Sequence, residues 1–436
     1  MPLFPPEVEI FARVVGSFFA DWWWVILPPV LLFMLLDVWL FYVRWRWFLS
    51  QEWVLMEVRL PQIVERTPKA MEQVFAGLHG IWDDTYTRFP ERWLHGVQPL
   101  HFTCELVSVN GESHFYFRML AKFKNLLESH VWAQYPTAEI QEVEDYVQNI
   151  PQDVPNNDWE LWGTEFTLTK PDVYPIRTYP YFEEIVEERR LDPLSAVLEV
   201  MGSLKEGEQM WIQILVSPVM EENWKKAGLA EVSKLVSRQD QKKSKPTGSI
   251  VGSVTGEMTL LARNIPGALT PGGLAGSAAK TPVRPEREPP PSLMMHLTPG
   301  ERAVVEAIEE NVAKIGFKTG IRVIYFGRRD VYNSGNIAAI FGAIRQFNTQ
   351  HLNGFRPDKR TMPKHFYFFK KQKHYFRKRR LVRLYRLRFP TLPWFTFNTE
   401  ELATIFHLPG TMVAPAPLVP RIEAKRGEPP ATLPRA

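Results

Sequence analysis

The chain has 436 residues, 45% of them hydrophobic and 13% aromatic, which is enough for two or three domains. Its single cysteine, Cys104, excludes any intrachain disulfide and fits a reducing compartment; the apolar run around it (Phe102, Leu106, Val107) makes it a small core residue. The formal charge of +4 hides two opposed regions: 25 Asp/Glu against 12 Lys/Arg between Gln51 and Val200, and 13 Lys/Arg with no acid between Lys359 and Phe397, a polarity that points to an interaction surface.

Residues 1–50 read as an N-terminal segment and a transmembrane helix. Residues 22–43, WWWVILPPVLLFMLLDVWLFYV, carry one charge, Asp37. As a helix they reach about 33 Å, against roughly 30 Å of hydrocarbon. Trp22, Trp23 and Trp24 before the span and Arg44, Trp45 and Arg46 after it are the expected membrane-interface residues. Pro28-Pro29 would kink a soluble helix but is tolerated near the end of a span. The run is too long, and its start too acidic and aromatic, for a cleaved signal peptide. Arg44 and Arg46 follow the span, whereas Glu7, Glu9, Arg13 and Asp21 precede it, so the positive-inside rule puts the bulk of the chain in the cytoplasm, on a single-pass inner-membrane anchor. Asp37 is either a functional intramembrane acid or one neutralised or matched by a partner helix.

Residues 51–150 read as a first α/β unit. Trp53–Leu60 alternates as a strand, and Thr67-Pro68 opens a helix with Met71, Val74, Phe75 and Leu78 on one face. His101–Val109 and Ser113–Met119 form a hairpin about Asn110-Gly111; a helix over 120–133 and a strand over 139–143 follow. The order strand–helix–strand–strand–helix–strand is that of a split βαβ, ferredoxin-like unit. A second such unit begins over 158–236, with a strand at 161–169, a helix from Asp192-Pro193 to about Leu204, a strand at 209–216 and a helix at 225–236. Residues 237–297, rich in Gly, Pro, Ser and Lys, read as a flexible, disordered insertion. The second unit resumes over 298–409: a helix from Thr298-Pro299, a strand at 321–326, a helix at 337–347, a last strand at 394–397 and a closing helical turn at 399–406. Residues 410–436 read as a Pro-rich disordered tail. The expected class is therefore α+β, one transmembrane helix followed by two tandem ferredoxin-like units.

Catalytic signatures are missing. There is no G-x-x-x-x-G-K-[ST] loop, the nearest run (Gly273 to Thr281) having the wrong spacing; nor is there H-E-x-x-H, a zinc-type Cys/His set or a G-x-S-x-G elbow. His95, His101 and His114 read as strand-edge or surface residues, and Asp83-Asp84 and Glu183-Glu184 as solvated acids. No enzyme, metal or cofactor is expected. The strongest local signal is the basic aromatic segment 359–388, with Lys370, Lys371, Lys373, Arg377, Lys378, Arg379, Arg380, Arg383 and Arg386 among Phe366, Tyr367, Phe368, Phe369, Tyr375 and Phe376. Three readings compete: DNA or another nucleic acid held by charge and stacking, an anionic lipid surface, or docking onto the acidic first unit of its own chain or of a partner.

Several phrases together carry a family resemblance: VLMEVRLPQIVERTPKAMEQVFAGLHGIW, GTEFTLTKPDVYPIRTYPYFEE, DPLSAVLEVMGSLKEGEQMWIQILVSP, IAAIFGAIRQFNTQHLNGFRP and FNTEELATIFHLP. Over roughly residues 20–410 they resemble the membrane-anchored module that precedes the motor in type IV secretion coupling-protein-like ATPases of candidate-phylum bacteria, and its stand-alone versions, a family described only as a domain of unknown function. With no motor domain in this chain, ATP hydrolysis is not carried over. The resemblance implies a non-enzymatic membrane scaffold of a type IV secretion or DNA-transfer-like machine, with the inner membrane and a separate motor ATPase as partners; a second copy of the chain is a further candidate partner, which the resemblance does not specify. The alternative is a membrane-tethered nucleic-acid-binding protein.

Overall fold

The computed structural model describes residues 6–61, 66–182, 192–243, 297–362, 370–389, 394–410 and 421–422. Helix α1 (Pro6–Ser50) runs unbroken through Pro28 and Pro29. Its stretch from Leu27 to Ser50 is long and apolar enough to cross a membrane, and the 18-residue apolar part that meets this criterion is only 6% buried against the rest of the chain. Phe33, Leu35, Val38 and Phe41 all point outwards, as a lipid-facing helix requires.

Beyond α1 the chain builds a mixed α/β domain on one ten-stranded sheet. The first half contains β1 (Trp53–Pro61), α2 (Pro68–Leu78), β2 (Phe102–Val109), β3 (Glu112–Leu120), α3 (Lys124–Gln134) and β4 (Glu139–Glu142). Thr67 stands at the N-cap of α2 in extended conformation, yet its side chain makes no capping bond, and Pro68 at the first position carries the initiation. The β2–β3 hairpin turns on Asn110 (φ 55°) and Gly111 (φ 89°), the pair of left-handed residues that a two-residue type I′ turn demands.

The second half contains β5 (Trp159–Leu168), α4 (Ser195–Gly202), β6 (Glu208–Pro218), α5 (Glu221–Lys243), α6 (Pro299–Ala313), β7 (Gly316–Arg328), α7 (Gly335–Arg345) and β8 (Phe355–Pro357). Then come α8 (Lys370–Leu387), β9 (Phe395–Asn398), α9 (Thr399–Ile405) and a two-residue β10 (Arg421–Ile422). Helix α5 runs to Lys243, further than the periodicity predicts; the rest of the expected insertion, residues 244–296, lies outside the described residues. In the expected tail, β10 pairs in parallel with the end of β1.

Strand order is β4-β1-β3-β2 in the first half and β8-β5-β7-β6 in the second, all antiparallel. The halves join through β2 and β6, paired antiparallel from Phe102↔Val216 to Val109↔Gln209. Strand β6 is buried along its whole length, as its apolar sequence QMWIQILV befits a central strand. The predicted last strand, β9, does not occupy the edge beside β5, which β8 takes. Strand β7 outruns β5, whose pairing stops at Phe166↔Ile321, and β9 covers the remaining backbone from Gly316↔Asn398 to Thr319↔Phe395. The pairing satisfies donors and acceptors that a buried strand end would otherwise leave open.

Helices α2, α3, α4, α7 and α9 cover one face of the sheet over a continuous apolar core that includes Met71, Val74, Phe75, Phe117, Met201, Phe317 and Phe397. Helix α9 starts with a full capping box, Asn398 to Glu401, and packs on α2, tying the end of the domain to its beginning. The opposite face is covered by α8 and the segment 143–158, over a second core of Leu55, Val107, Tyr116, Tyr146, Trp211, Phe326, Leu381 and Tyr385.

Candidate docking surface on the basic helix

The basic segment becomes helix α8 because its residues 370–387 contain no Pro or Gly and are dominated by helix-tolerant Lys, Arg and Leu. Leu381, Val382 and Tyr385 fall on one face at helical spacing and are buried against the sheet. Phe366, Tyr367, Phe368 and Phe369 precede it and lie outside the described residues.

Under α8 the sheet presents a transverse polar row. Glu57, Tyr116, Glu105, Gln213, Arg322 and Glu165 stand in register across six neighbouring strands, β1, β3, β2, β6, β7 and β5. Glu105 is the hub. Arg388 forks onto it with Nε–Oε1 and Nη2–Oε2 both at 2.9 Å, and also pairs with Asp145. Tyr146 Oη donates to Glu105 at 2.7 Å, and Thr103 Oγ1 and Gln213 Nε2 each donate at 2.9 Å. Tyr146 and Tyr385 share a hydrogen bond at 2.8 Å. Burial pushes the Glu105 carboxyl up, but the Arg388 charge and this set of donors outweigh it and hold the group down at about 2.

A second node joins Arg322 to Glu165 at 2.9 Å, with further donation from Arg322 to Gln213 Oε1 and to the carbonyls of Leu384 and Phe389. Here burial prevails: it raises the Glu165 carboxyl and lowers the Arg322 guanidinium. The two nodes fasten the C-terminal end of α8 to both halves of the sheet. Arg388 adopts φ 49°, a left-handed geometry that costs a non-glycine residue about 1 kcal/mol, and the bidentate pairing offsets it.

The predicted contact residues divide by face. Lys378 pairs with Glu160 at 2.7 Å, Arg377 donates to the Met362 carbonyl at 3.1 Å, and Arg386 donates to the carbonyls of Ile150 and Pro151. Arg379 lies over the Tyr375 ring at 5.4 Å. Lys371, Lys373, Arg380 and Arg383 are exposed, with Phe376 beside them 68% exposed. Lys370 opens the helix, and its side chain lies outside the described residues. So the inner residues of the cluster are committed to this chain's own acids and carbonyls, whereas Lys373, Phe376, Arg380 and Arg383 share the solvent-facing side of α8, and Lys371 is exposed at the helix start on the side of Lys378 and Val382.

The end of α1 is built into the same region. Val43 and Phe48 are buried, and Trp45 and Phe48 each contact the Phe389 ring at 5.8 Å. Phe48 also lies 6.5 Å from His101, which is buried and not at the surface as the sequence suggests; Trp53 covers it from 5.1 Å. Burial first, and the charge of Arg118 second, lower the His101 imidazole to about 4. His114 is half-buried and bonds Glu57 at 2.7 Å, and His95 is exposed. Arg44 and Trp45 are half-buried and Arg46 exposed; Trp24 is exposed at the other end of the span, and the side chains of Trp22 and Trp23 lie outside the described residues. Asp37 faces outwards from α1. Cys104 is wholly buried, as its sequence context predicts, and burial raises its thiol.

Among the described residues no three His, Cys, Asp or Glu side chains converge as a metal site. Sequence reasoning could not find Glu105, Arg322 or Arg388 as network residues, although an isolated acid or base inside an apolar strand run (Glu105 in FTCELVSV, Arg322 in GIRVIYF) is the signal that marks them. No curated protein matches the chain. Residues 49–414 match the family model described as "Domain of unknown function (DUF8128)", so the chain belongs to that family.

Proposed function

We propose that this protein is a non-enzymatic, membrane-anchored docking component that holds an α/β platform at a fixed attitude to the bilayer. The observation that carries the reading is the joint: α1 continues from its membrane-competent stretch into the domain, burying Val43 and Phe48, with Gln98 Nε2 donating to the Arg44 carbonyl at 3.0 Å. An anchor attached only by a loose linker would need no such packing. The finer assignment is a scaffold at the cytoplasmic face of an inner membrane, serving a separate ATPase of a type IV secretion or DNA-transfer-like apparatus; its support is the sequence resemblance and the Arg44/Arg46 flank. We take the two halves of the sheet, residues 51–150 and 158–236 with 298–409, to be two ferredoxin-like units. Their matching strand orders support that reading.

A nucleic-acid-binding role is the second reading, favoured by the exposed strip of Phe376, Arg380 and Arg383 on α8. Charge reversal at Arg380 and Arg383 separates the two. Arg377 and Lys378 are poor choices, because their contacts with Met362 and Glu160 help to hold the helix. The scaffold reading expects the Arg380→Glu/Arg383→Glu protein to keep its protein partners in pull-downs. Loss of nucleic-acid retention with unchanged folding would move the assignment to the second reading.

A further inference from the structure

The segment between α2 and β2 holds a five-residue π-helical turn, Glu91–His95, that is laid along α1. Trp39 Nε1 donates to the Trp93 carbonyl at 2.9 Å. Gly96, with φ 71°, passes so close to α1 that a Cβ there would sit 2.3 Å from the Val43 carbonyl oxygen. From Val43 back to Trp39 is four residues, so the turn descends about 6 Å along α1 towards the membrane. Two large apolar side chains of this segment stand clear of the protein, and Trp93 is half-buried. Phe89 is 71% exposed and Leu94 61%, and Phe89 stacks on Trp93 at 5.9 Å. Arg88 and Arg92 flank them, both exposed.

On the other side of α1 lies an open groove of about 930 Å³ between α1 and α8. Phe41 and Trp45 form one wall and Arg379, Arg383 and Arg386 the other, with Asp153 also on the lining. At 100° per residue, Phe41 and Trp45 are centred about 200° round the helix from Trp39 and Val43, so turn and groove flank α1 on opposite sides. Apolar and aromatic side chains at interface depth on one side, and arginines at the same level on the other, are what an acidic phospholipid surface accommodates.

We propose that the face surrounding the exit of α1 is a second membrane contact: Phe89, Trp93 and Leu94 enter the interfacial layer, and Arg379 and Arg383 meet acidic phospholipid headgroups. This rests on the reading of α1 as a membrane anchor. It makes the domain lie on the bilayer and leaves its distal edge, about the Asn110-Gly111 turn, for other partners.

The test uses the full chain in nanodiscs of phosphatidylcholine with phosphatidylglycerol. Single Leu94→Cys, Leu31→Cys and Glu112→Cys variants are labelled with an environment-sensitive fluorophore, the buried Cys104 serving as the unlabelled background, and quenched by lipids brominated on the acyl chain. The proposal expects the label at position 94 to be quenched several-fold more than the label at position 112. The difference should shrink in an Arg379→Gln/Arg383→Gln background or in phosphatidylcholine alone. Strong quenching at position 31 with equal, weak quenching at positions 94 and 112 overturns the proposal while sparing the anchor. Absence of quenching at position 31 overturns the anchor reading itself.

Discussion

Removing Arg388 should be the most damaging single change in the polar layer. Arg388→Met keeps most of the side-chain length and deletes both 2.9 Å bonds to Glu105 and the pairing with Asp145. Glu105, 0% exposed, would keep Tyr146, Thr103 and Gln213 as donors but lose its counter-charge. An uncompensated buried charge of this kind costs about 3–5 kcal/mol. The stability linked to this depressed carboxyl comes from Arg388 together with the Tyr146 and Gln213 donors, which outweigh burial and hold the group at about 2. Because the folded-state value lies below the unfolded one, this stability is fully present above pH 4.5 and is lost as pH falls through 2. The assay is urea unfolding of the full chain in detergent, followed by tryptophan fluorescence at pH 7. Arg388→Met should lose about 3–5 kcal/mol, and adding Glu105→Gln should recover a large part of it. A loss below about 1 kcal/mol, or a double variant no better than the single one, would show that buried Glu105 does not depend on the Arg388 charge.

His101, lowered to about 4, contributes stability above pH 6.5 that is lost as pH falls towards 4; at pH 5 the joint should be weaker by about 2 kcal/mol, and His101→Gln should flatten that slope in unfolding curves. Gly96→Ala forces a clash with the Val43 carbonyl at a left-handed position, so protease cleavage between α1 and the domain should quicken without loss of far-ultraviolet circular dichroism. Gly111→Ala, at φ 89°, should cost about 1 kcal/mol in the same unfolding assay and leave lipid contacts unchanged. Leu381→Ala should cost about 2–5 kcal/mol by opening a cavity between α8 and Gly163, whose added Cβ would lie 2.5 Å from the Leu381 side chain.

Local chemistry made most elements legible. The alternation of WVLMEVRL, the Asn-Gly turn and the Thr298-Pro299 start each have a short-range cause, and each lies where that cause puts it. Long-range pairing was harder to see. Nothing local says that β2 should meet β6, because both are apolar and any antiparallel neighbour would satisfy them. The edge strand β8, Phe355–Pro357, is too short to show a period, and β9 takes its place beside β7 because of a length mismatch that only the folded sheet reveals. For the candidate site, composition exposed the cations of α8 but not their division into an inner, committed face and an outer one. That division depends on Leu381, Val382 and Tyr385 meeting the sheet. The joint was least legible, since Phe48, His101 and Phe389 are far apart in sequence and carry no shared motif.

A platform fixed to the membrane in this way should dock a protein partner. Crosslinking the tagged full-length protein in native membranes, followed by capture with and without nuclease and mass spectrometry, tests it most directly. A docked motor ATPase should be recovered equally with and without nuclease. Recovery of nuclease-sensitive material alone would contradict this docking and give the basic strip of α8 to nucleic acid.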